Sequence, residues 1–271
     1  MSSRRGKRVG YLFVLALLCA ACAWYKMGRS SSGEGAHTDA GKIADLEIPV
    51  VKKALPGQII RHEGYTVCFN EANRLPNWVA YELTDHEAQG TVPRAKHFEE
   101  DPQVVGAQAS NDDYRNSHWD RGHMAPADHM KWSEKAMDES FYFTNVCPQN
   151  HNLNGGVWKS LEEKCKDFAT LYGSLYVACG PIVGGDKNGT IGKSGVVVPD
   201  AFYKVLLVCD KGSYRAIGFL FENVAGHRPL DSYARSVDEI ETITGIDFFA
   251  KLPDNIEEKV EAACSPSDWG L

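Results

Sequence analysis

Residues 120–123 read Asp-Arg-Gly-His, and residues 153–162 read Leu-Asn-Gly-Gly-Val-Trp-Lys-Ser-Leu-Glu. In the second stretch Asn154, Trp158 and Glu162 are spaced four residues apart, so a helix would place them in one stripe. The neighbouring stripe is apolar, and it consists of Val157, Leu161, Cys165 and Phe168. The pattern predicts a long helix that packs one face on the core and presents an amide and a carboxylate to a cleft.

Three side chains in these stretches suit hydrolytic chemistry. The imidazole of His123 is neutral near pH 7, since its unperturbed pKa is about 6.5, and it can take a proton from water. The amide oxygen of Asn154 can bind Mg²⁺, which keeps several water molecules and needs few protein ligands. Asn154 would equally suit a helix N-cap, and Glu162 a solvated helix charge, so the residue types alone leave both readings open.

Residues 143–149 add a third motif, Phe-Thr-Asn-Val-Cys-Pro-Gln. The three motifs, in this order and spacing, resemble the DNA/RNA non-specific endonucleases of the ββα-metal class, and the similarity runs from roughly Gly64 to Pro253. The resemblance implies an α+β fold with a central mixed or antiparallel sheet flanked by helices. It also implies a metal-dependent endonuclease that hydrolyses DNA and RNA without sequence specificity and leaves 5′-phosphate ends.

The resemblance further implies roles for the three side chains. His123 is expected to be the general base. Asn154 is expected to be the protein ligand of Mg²⁺, with Mn²⁺ as a substitute and with water and phosphate oxygens in the other positions. Glu162 is expected to hold a water molecule of the metal from the second shell.

Three further residues complete the expected site. Asn145 would brace it by hydrogen bonding, and Arg94 would bind the scissile phosphate and stabilise the transition state. Arg121 would either contact phosphate or anchor the loop of the base through Asp120. A solvated surface arginine remains the alternative for Arg94.

Strand and helix patterns alternate irregularly with hairpins along the chain, which indicates an α+β protein. We expect a strand at residues 77–83, a hairpin turn at residues 210–212 and a helix from about Leu153 to Tyr172. Ser236 to Glu239 is a capping box and predicts a further helix, which Gly245 would end. A last helix is expected from Asp254.

The N-terminus has the pattern of a targeting segment. An apolar run, Val9–Tyr25, follows four basic residues: Arg4, Arg5, Lys7 and Arg8. We interpret residues 1–25 as a signal peptide, with a lipid anchor on Cys22 or a retained membrane anchor as alternatives. The apolar character disfavours a mitochondrial transit peptide, so we expect an exported protein that is periplasmic, secreted or membrane-anchored. Residues 26–45 are expected to be a flexible linker, and residues 46–271 the nuclease domain.

Charge and cysteine content limit the remaining possibilities. The net charge of −7 over 271 residues counts against a protein that coats nucleic acid, but an enzyme needs only a local cationic groove. Six cysteines follow the targeting segment: Cys68, Cys147, Cys165, Cys179, Cys209 and Cys264. In an exported chain they permit up to three disulfides, with Cys209–Cys264 the pair we expect, and buried free thiols are the alternative.

Other functions remain as alternatives. His118, His123 and His129 with Asp128 could form a zinc site, although the spacing fits no standard zinc motif. An exported nucleic-acid-binding protein without catalytic activity is the main non-enzymatic alternative, and a toxin held by an inhibitor is another. DNA and RNA are the expected partners, and the sequence leaves open whether the chain forms a homodimer.

Overall fold

The computed structural model describes residues 43–51, 55–184, 188–226 and 228–271. The predicted targeting segment and most of the predicted linker therefore lie outside the described residues. Within those ranges no helix combines the length and apolar character needed to cross a membrane.

The centre of the fold is a seven-stranded sheet in which every neighbouring pair is antiparallel. With strands numbered along the chain, the spatial order is β12 (Ala234–Arg235), β11 (Ser213–Glu222), β10 (Ala201–Asp210), β7 (Ser174–Ile182), β4 (Leu75–Thr84), β3 (Thr66–Asn70) and β2 (Gln58–Arg61). Three strand pairs stand apart: β1 (Val50–Val51) with β13 (Ile246–Asp247), β5 (Asp120–His123) with β6 (Val146–Gln149), and β8 (Thr190–Ile191) with β9 (Val196–Val197). The predicted α+β class with an antiparallel sheet is confirmed.

Seven α-helical segments accompany the strands in the described part of the chain. They are α1 (Asp85–Ala88), α2 (Asn111–Tyr114), α3 (Glu134–Glu139), α4 (His151–Leu153), α5 (Lys159–Tyr172), α6 (Val237–Thr244) and α7 (Asp254–Glu261). Short 3₁₀ turns lie at Ala127–His129, Phe143–Asn145, Leu230–Tyr233 and Pro266–Trp269, and a π-helical turn lies at Asn154–Trp158.

The central sheet has a core on each face, because its side chains alternate between the two sides. On β10, Phe202 and Leu206 pack in the core that contains Leu161 of α5. Tyr203 and Val205 pack in the other core, beneath α6 and α7. The sheet thus lies between two layers of helices, and α5 belongs to the layer that carries the predicted site residues.

Several local signals act as the sequence predicts. Ser236 accepts a hydrogen bond from the Glu239 amide, and the Glu239 carboxylate accepts one from the Ser236 amide, which completes the capping box of α6. Gly245 ends that helix with φ of 69°, a left-handed conformation that costs glycine little. The start of α3 is likewise capped by Ser133.

The disulfide prediction is wrong. All six cysteines of the described chain are free thiols, and four of them are buried. Cys209 lies opposite Tyr214 at the end of the β10–β11 hairpin, whereas Cys264 lies near Arg235 and Glu239 at the start of α6. Different elements therefore hold the two sulfurs, so the predicted Cys209–Cys264 bridge does not form.

The predicted long helix is present but interrupted. It runs from His151 to Tyr172 with a π-helical turn at Asn154–Trp158, in which Gly156 has the non-helical angles φ −106° and ψ −116°. Two successive glycines permit this turn, since glycine lacks the Cβ that restricts other residues. The apolar stripe is buried as predicted, but Trp158 is buried with it and does not face the cleft.

Candidate active site

A small strand pair and the helix that follows it build the site. In the β5–β6 pair His123 lies opposite Val146, and Asp120 lies opposite Gln149. The chain then turns at Asn150, whose side-chain oxygen caps α4 by accepting hydrogen bonds from two backbone amides. Strand β5 therefore carries His123, and the helix after β6 carries the next predicted residues.

Five of the six predicted site residues line one cavity of about 460 Å³, and they are Arg94, Arg121, His123, Asn154 and Glu162. The sixth, Asn145, is fully buried and lies behind the cavity. An adjoining depression of about 470 Å³ shares Arg94, Arg121 and Asn154 with this cavity. Residues that are up to 68 positions apart in sequence thus meet in one continuous cleft.

The imidazole of His123 is held between two aromatic rings. Its ring centroid lies 5.2 Å from that of Phe98 and 4.9 Å from that of Phe141. Burial, followed by the positive charges of Arg94 and Arg121, lowers the pKa of His123 to about 3. His123 is therefore neutral at pH 7, the state in which imidazole accepts a proton.

The two nitrogens of the His123 ring differ in their surroundings. Nε2 is buried and has no hydrogen-bond partner among the described residues. The side chain as a whole is 8% exposed and lines the cavity. Because Nε2 is enclosed and the residue lines the cavity, we assign Nδ1 as the ring nitrogen that faces it.

Asn145 fastens the backbone just beyond His123. Its Oδ1 accepts a hydrogen bond from the Ala125 amide at 2.8 Å, and its Nδ2 donates to the carbonyls of Ala125 and Ser140, each at 2.8 Å. The Asn145 backbone carbonyl also accepts from the Met124 amide at 2.9 Å. This arrangement suits the bracing that the sequence predicts for Asn145.

Asn154 is oriented by a carboxylate. Its Nδ2 donates to Asp120 Oδ2 at 2.9 Å, and Asp120 also lies 3.0 Å from the Nδ1 of His151. Because an ionised carboxylate only accepts hydrogen bonds, the amide nitrogen must face Asp120. The Oδ1 atom of Asn154 is thereby left available as an oxygen ligand in the cavity.

Glu162 lies one helical turn beyond the π-helical turn, above a buried lysine. Burial raises the pKa of Glu162 to about 7, against the opposing charge of Lys204. Lys204 is fully buried, its Nζ lies 4.3 Å from the Trp158 ring centroid, and that nitrogen has no hydrogen-bond partner among the described residues. A cation–π contact thus replaces the missing hydrogen bonds and places a positive charge beneath the site.

His129 fixes the backbone of α5 at Glu162. Its Nε2 lies 2.9 Å from the Glu162 carbonyl oxygen, and its Nδ1 lies 3.0 Å from the hydroxyl of Tyr81. A carbonyl can only accept, so Nε2 carries the proton and Nδ1 accepts from the tyrosine. Burial also lowers the pKa of His129 to about 3, which keeps this structural histidine neutral.

Both arginines are exposed and stacked on the aromatic rings beside His123. The guanidinium carbon of Arg94 lies 5.0 Å from the Phe141 ring centroid, and that of Arg121 lies 4.7 Å from the Phe98 centroid. Arg121 donates to Asn111 at 2.6 Å. The predicted anchoring of Arg121 through Asp120 is therefore replaced by a contact with α2, and both cations remain at the cleft surface.

The donor set fits a hard, hydrated cation and does not fit zinc. In the described ranges, His118, His123, His129 and Asp128 do not converge as a group of metal ligands, and both ring nitrogens of His129 are engaged. The cavity instead offers one amide oxygen and one carboxylate, and Mg²⁺ binds with few protein ligands and several waters. Asn154 would hold the ion, and Glu162 would accept hydrogen bonds from its water shell.

Sequence reasoning missed the roles of Asp120, Lys204 and His129. Asp120 stands inside the quoted motif, but nothing in the sequence shows that it contacts Asn154, 34 positions away. Lys204 interrupts an apolar strand, which is the one signal that could have drawn attention to it.

Comparison with known proteins identifies the family. The family of DNA/RNA non-specific endonucleases matches residues 44–255. The mitochondrial nuclease EXOG of Xenopus laevis is 36% identical over 212 residues, which cover 72% of this chain and 58% of that protein. Human mitochondrial endonuclease G is 34% identical over 219 residues, covering 75% of this chain and 74% of that protein. The chain thus spans less than two thirds of the Xenopus protein and about three quarters of the human one.

A solved structure supports the same relationship. The crystal structure of the EndoG/EndoGI complex, described as showing the mechanism of EndoG inhibition, matches with a TM-score of 0.68 and 27% identity. The match covers 75% of this chain and 91% of that chain. The α+β fold with its central antiparallel sheet thus belongs to a known architecture.

The relatives overturn the prediction of an exported protein. EXOG of Xenopus laevis, human endonuclease G and Nuclease 1 of Schizosaccharomyces pombe are all named as mitochondrial. A basic segment followed by an apolar run does not by itself distinguish export from other targeting, so the predicted periplasmic, secreted or membrane-anchored location is wrong. The chain belongs to the DNA/RNA non-specific endonucleases, a family of metal-dependent hydrolases that cleave the phosphodiester bonds of nucleic acids.

Proposed function

We propose that this protein is a Mg²⁺-dependent endonuclease that cuts DNA and RNA without sequence specificity. The observation that carries the proposal is the shared cavity of His123, Asn154, Glu162, Arg94 and Arg121. It combines a neutral base, an oxygen ligand for a hard cation, and two positive charges. These are the groups that hydrolysis of a phosphodiester requires.

His123 is the general base, and its Nδ1 takes the proton from the attacking water. The low pKa that burial and the arginines impose keeps this nitrogen unprotonated in the free enzyme. The bound phosphate carries a negative charge, which offsets the arginines and makes the imidazole more basic when the proton moves. Asn145 acts as a positioning residue, because it fixes the backbone at Ala125.

Asn154 is the metal ligand, with Mg²⁺ as the expected ion and Mn²⁺ as a substitute. When bound, the ion supplies positive charge beside the phosphate and the departing oxygen. Asp120 keeps the amide nitrogen turned away from the cavity, and so it holds Oδ1 in the ligand position. Glu162 orders water beside Asn154 through its carboxylate.

The arginines stabilise the pentavalent transition state by binding its equatorial oxygens. Arg94 and Arg121 line both cavities, so a nucleic-acid strand that enters the adjoining depression passes both arginines. That depression is also lined by Trp119 and Arg115. The Trp119 ring can stack on any base, and Arg115 can contact a backbone phosphate. Contacts of this kind carry no base sequence, which suits a non-specific nuclease.

The products are proposed to carry 5′-phosphate and 3′-hydroxyl ends. Water attacks phosphorus, its proton passes to Nδ1 of His123, and the P–O3′ bond breaks. The phosphate stays on the 5′ oxygen of the downstream nucleotide, and the departing 3′ oxygen takes a proton from water in the cleft. Nicked DNA made by the enzyme should then be sealed by a DNA ligase without prior kinase treatment. Products that require a kinase or a phosphatase before sealing would show that the other P–O bond breaks.

The test measures plasmid nicking and RNA cleavage in two conditions. One contains MgCl₂ in the millimolar range, and the other contains EDTA in excess of any contaminating metal. Wild-type protein is expected to cut both substrates with Mg²⁺ and neither with EDTA. His123→Ala should lose about 10² to 10⁴-fold in kcat, the usual contribution of a general base. Asn154→Ala should raise the Mg²⁺ concentration needed for half-maximal rate.

The matched control is His86→Ala, which removes an exposed histidine from α1. It should cut at the wild-type rate. Equal rates for His123→Ala and His86→Ala would refute the base assignment. Nucleic-acid binding without cutting under every metal condition would favour the non-catalytic alternative.

The proposal also covers location, domain limits and oligomeric state. We propose a mitochondrial location, because named relatives are mitochondrial and the described cysteines are all free thiols. Fractionation of cells that produce the protein tests this. Residues 26–45 are proposed as the linker and residues 46–271 as the folded domain, with limited proteolysis as the test. We propose that the protein forms a homodimer, and analytical sedimentation tests this. A single species with the mass of the monomer would exclude it.

A further inference from the structure

A second group of acidic side chains lies on the opposite side of the central sheet from the active site. Helices α6 and α7 pack there, since Ile240 and Val260 belong to the core on that face. The carboxylate oxygens of Asp238, Glu241 and Glu261 lie within 4.8 Å of one another. The first two residues are on α6 and the third is on α7, so this acidic cluster joins the two helices.

Glu261 is the member of the acidic cluster that has a buried oxygen without a hydrogen-bond donor among the described residues. It is 4% exposed, and its Oε1 is buried without a hydrogen-bond partner in the described part of the chain. A buried carboxylate oxygen is costly unless a donor or a cation meets it. Glu261 is also the last residue of α7, where the negative end of the helix dipole disfavours another negative charge.

The charged groups that act most strongly on Glu261 are themselves carboxylates. Glu261 is buried, and the nearby carboxylates that act on it are those of Glu241, Glu257, Asp238 and Asp247. Four acidic groups thus surround one buried carboxyl group. A cation at this place would neutralise the repulsion and supply the partner that Oε1 lacks.

We propose that Asp238, Glu241 and Glu261 bind a calcium ion that links α6 to α7. The three carboxylates lie close enough together to meet on one ion, with oxygens within 4.8 Å of one another. Three carboxylates exceed the one or two that Mg²⁺ usually takes from a protein, whereas Ca²⁺ binds about six to eight oxygens. Carboxylates from two helices also suit the flexible, oxygen-rich coordination of Ca²⁺, and Asp238 is exposed, so the ion can keep water ligands.

The competing explanation is a shared proton. Glu261 would then remain protonated and donate to a neighbouring carboxylate, and no ion would bind. The two explanations differ in a measurable way, because only the first couples thermal stability to the calcium concentration. Removal of the Glu261 charge by substitution to glutamine should abolish that coupling.

The experiment uses the full chain with Asn154→Ala, which disables the proposed catalytic ligand. The metal-free protein is melted with increasing CaCl₂ and, separately, MgCl₂. Saturating CaCl₂ should raise Tm by about 5 °C or more, and MgCl₂ should raise it much less. Adding Glu261→Gln or, independently, Asp238→Asn should remove most of the calcium-induced rise in Tm. Asp238 is exposed, so Asp238→Asn still tests the site if Glu261→Gln does not fold.

The matched control adds Glu134→Gln, an exposed acidic residue on α3, which should leave the calcium shift unchanged. Nuclease activity in Mg²⁺ is expected to be unaffected by Glu261→Gln in a chain with Asn154 intact, since the two sites lie on opposite faces of the sheet. The proposal is overturned if calcium does not shift Tm, or if the shift survives both Glu261→Gln and Asp238→Asn. The shared proton would be established instead if calcium does not change the Tm of the parent chain and metal-free Glu261→Gln melts at a higher temperature than that chain.

Discussion

Substitution of Asn145 should weaken both the fold and the catalytic site, although this residue does not touch the cleft. In Asn145→Ala three hydrogen bonds of 2.8 Å are lost, and the amide of Ala125 and the carbonyls of Ala125 and Ser140 are left without them in a buried region. Each unsatisfied buried group costs about 1–3 kcal/mol. We therefore expect a loss of about 3–5 kcal/mol in the free energy of unfolding, out of the roughly 5–15 kcal/mol typical of a domain.

Asn145→Asp tests the direction of these hydrogen bonds at constant size. The carboxylate can still accept from the Ala125 amide, but its second oxygen faces two carbonyl oxygens where Nδ2 formerly donated. The aspartate variant should therefore be at least as unstable as the alanine variant above pH 6. A small shift of the backbone beyond His123 should also lower kcat by about tenfold to a hundredfold.

The assay is urea unfolding followed by tryptophan fluorescence in EDTA, together with kcat for plasmid nicking at a temperature where each variant is folded. Asn255→Ala, an exposed asparagine on α7, is the control and should change the free energy of unfolding by less than about 0.5 kcal/mol. A loss below about 1 kcal/mol for both Asn145 variants would refute the reasoning. Full stability with lost activity would instead place Asn145 among the catalytic groups.

Three further predictions concern the same site. In metal-free protein the stability contributed by the neutral Glu162 carboxyl should be lost as the pH rises from about 4.5 to about 7, because the folded state raises its pKa to about 7 and binds a proton more tightly than the unfolded chain. The buried His123 and His129, whose pKa values fall to about 3, act in the opposite direction over this range, so the test compares Glu162→Gln with wild type in EDTA: the variant should melt above wild type at pH 8 and close to it at pH 4.5. The ring of His123 should titrate well below pH 5 by NMR in the free protein, and a titration midpoint near 6.5 would show that burial and the arginines do not act as described. Gly122→Ala should lower the free energy of unfolding by about 2 kcal/mol or more in urea, because a Cβ there overlaps the buried Gln149 side chain, whereas Gly155→Ala has open space and should change it by less than about 1 kcal/mol.

The calcium prediction and the nuclease prediction are independent of each other. The nuclease site lies on the α5 face of the sheet, and the acidic cluster lies on the α6 and α7 face. A protein that cuts nucleic acid with Mg²⁺ but does not respond to calcium would retain the first and lose the second. Melting on the Asn154→Ala background tests the calcium site, and nicking by chains that retain Asn154 tests the nuclease site.

Local sequence patterns were sufficient for much of the fold. The spacing of Val157, Leu161 and Phe168 predicted which face of the helix is buried, because a helix repeats every 3.6 residues whatever surrounds it. The capping box at Ser236 and the glycine at 245 act within one turn of chain, and they formed as expected. The alternation of strands and helices likewise indicated the α+β class.

Other features could not be predicted from local sequence patterns. The π-helical turn moved Trp158 into the core beside Phe202 and Phe221, although its spacing from Asn154 placed it in the polar stripe. The expected Cys209–Cys264 bridge failed because the two residues end on different elements. The basic and apolar N-terminal pattern predicted export, and relatives named as mitochondrial contradict it.

The sequence by itself determined the residue types of the site and its family resemblance, because the motifs around His123 and Asn154 are short and contiguous. Only the tertiary structure decided which atom of each residue is available. The register of β5 against β6 brings Asp120 to Asn154 and frees its oxygen, and the fold beneath α5 places Lys204 under Glu162. Hydrogen-bond direction and burial are set by neighbours that are distant in sequence, so they emerge only when the chain is folded.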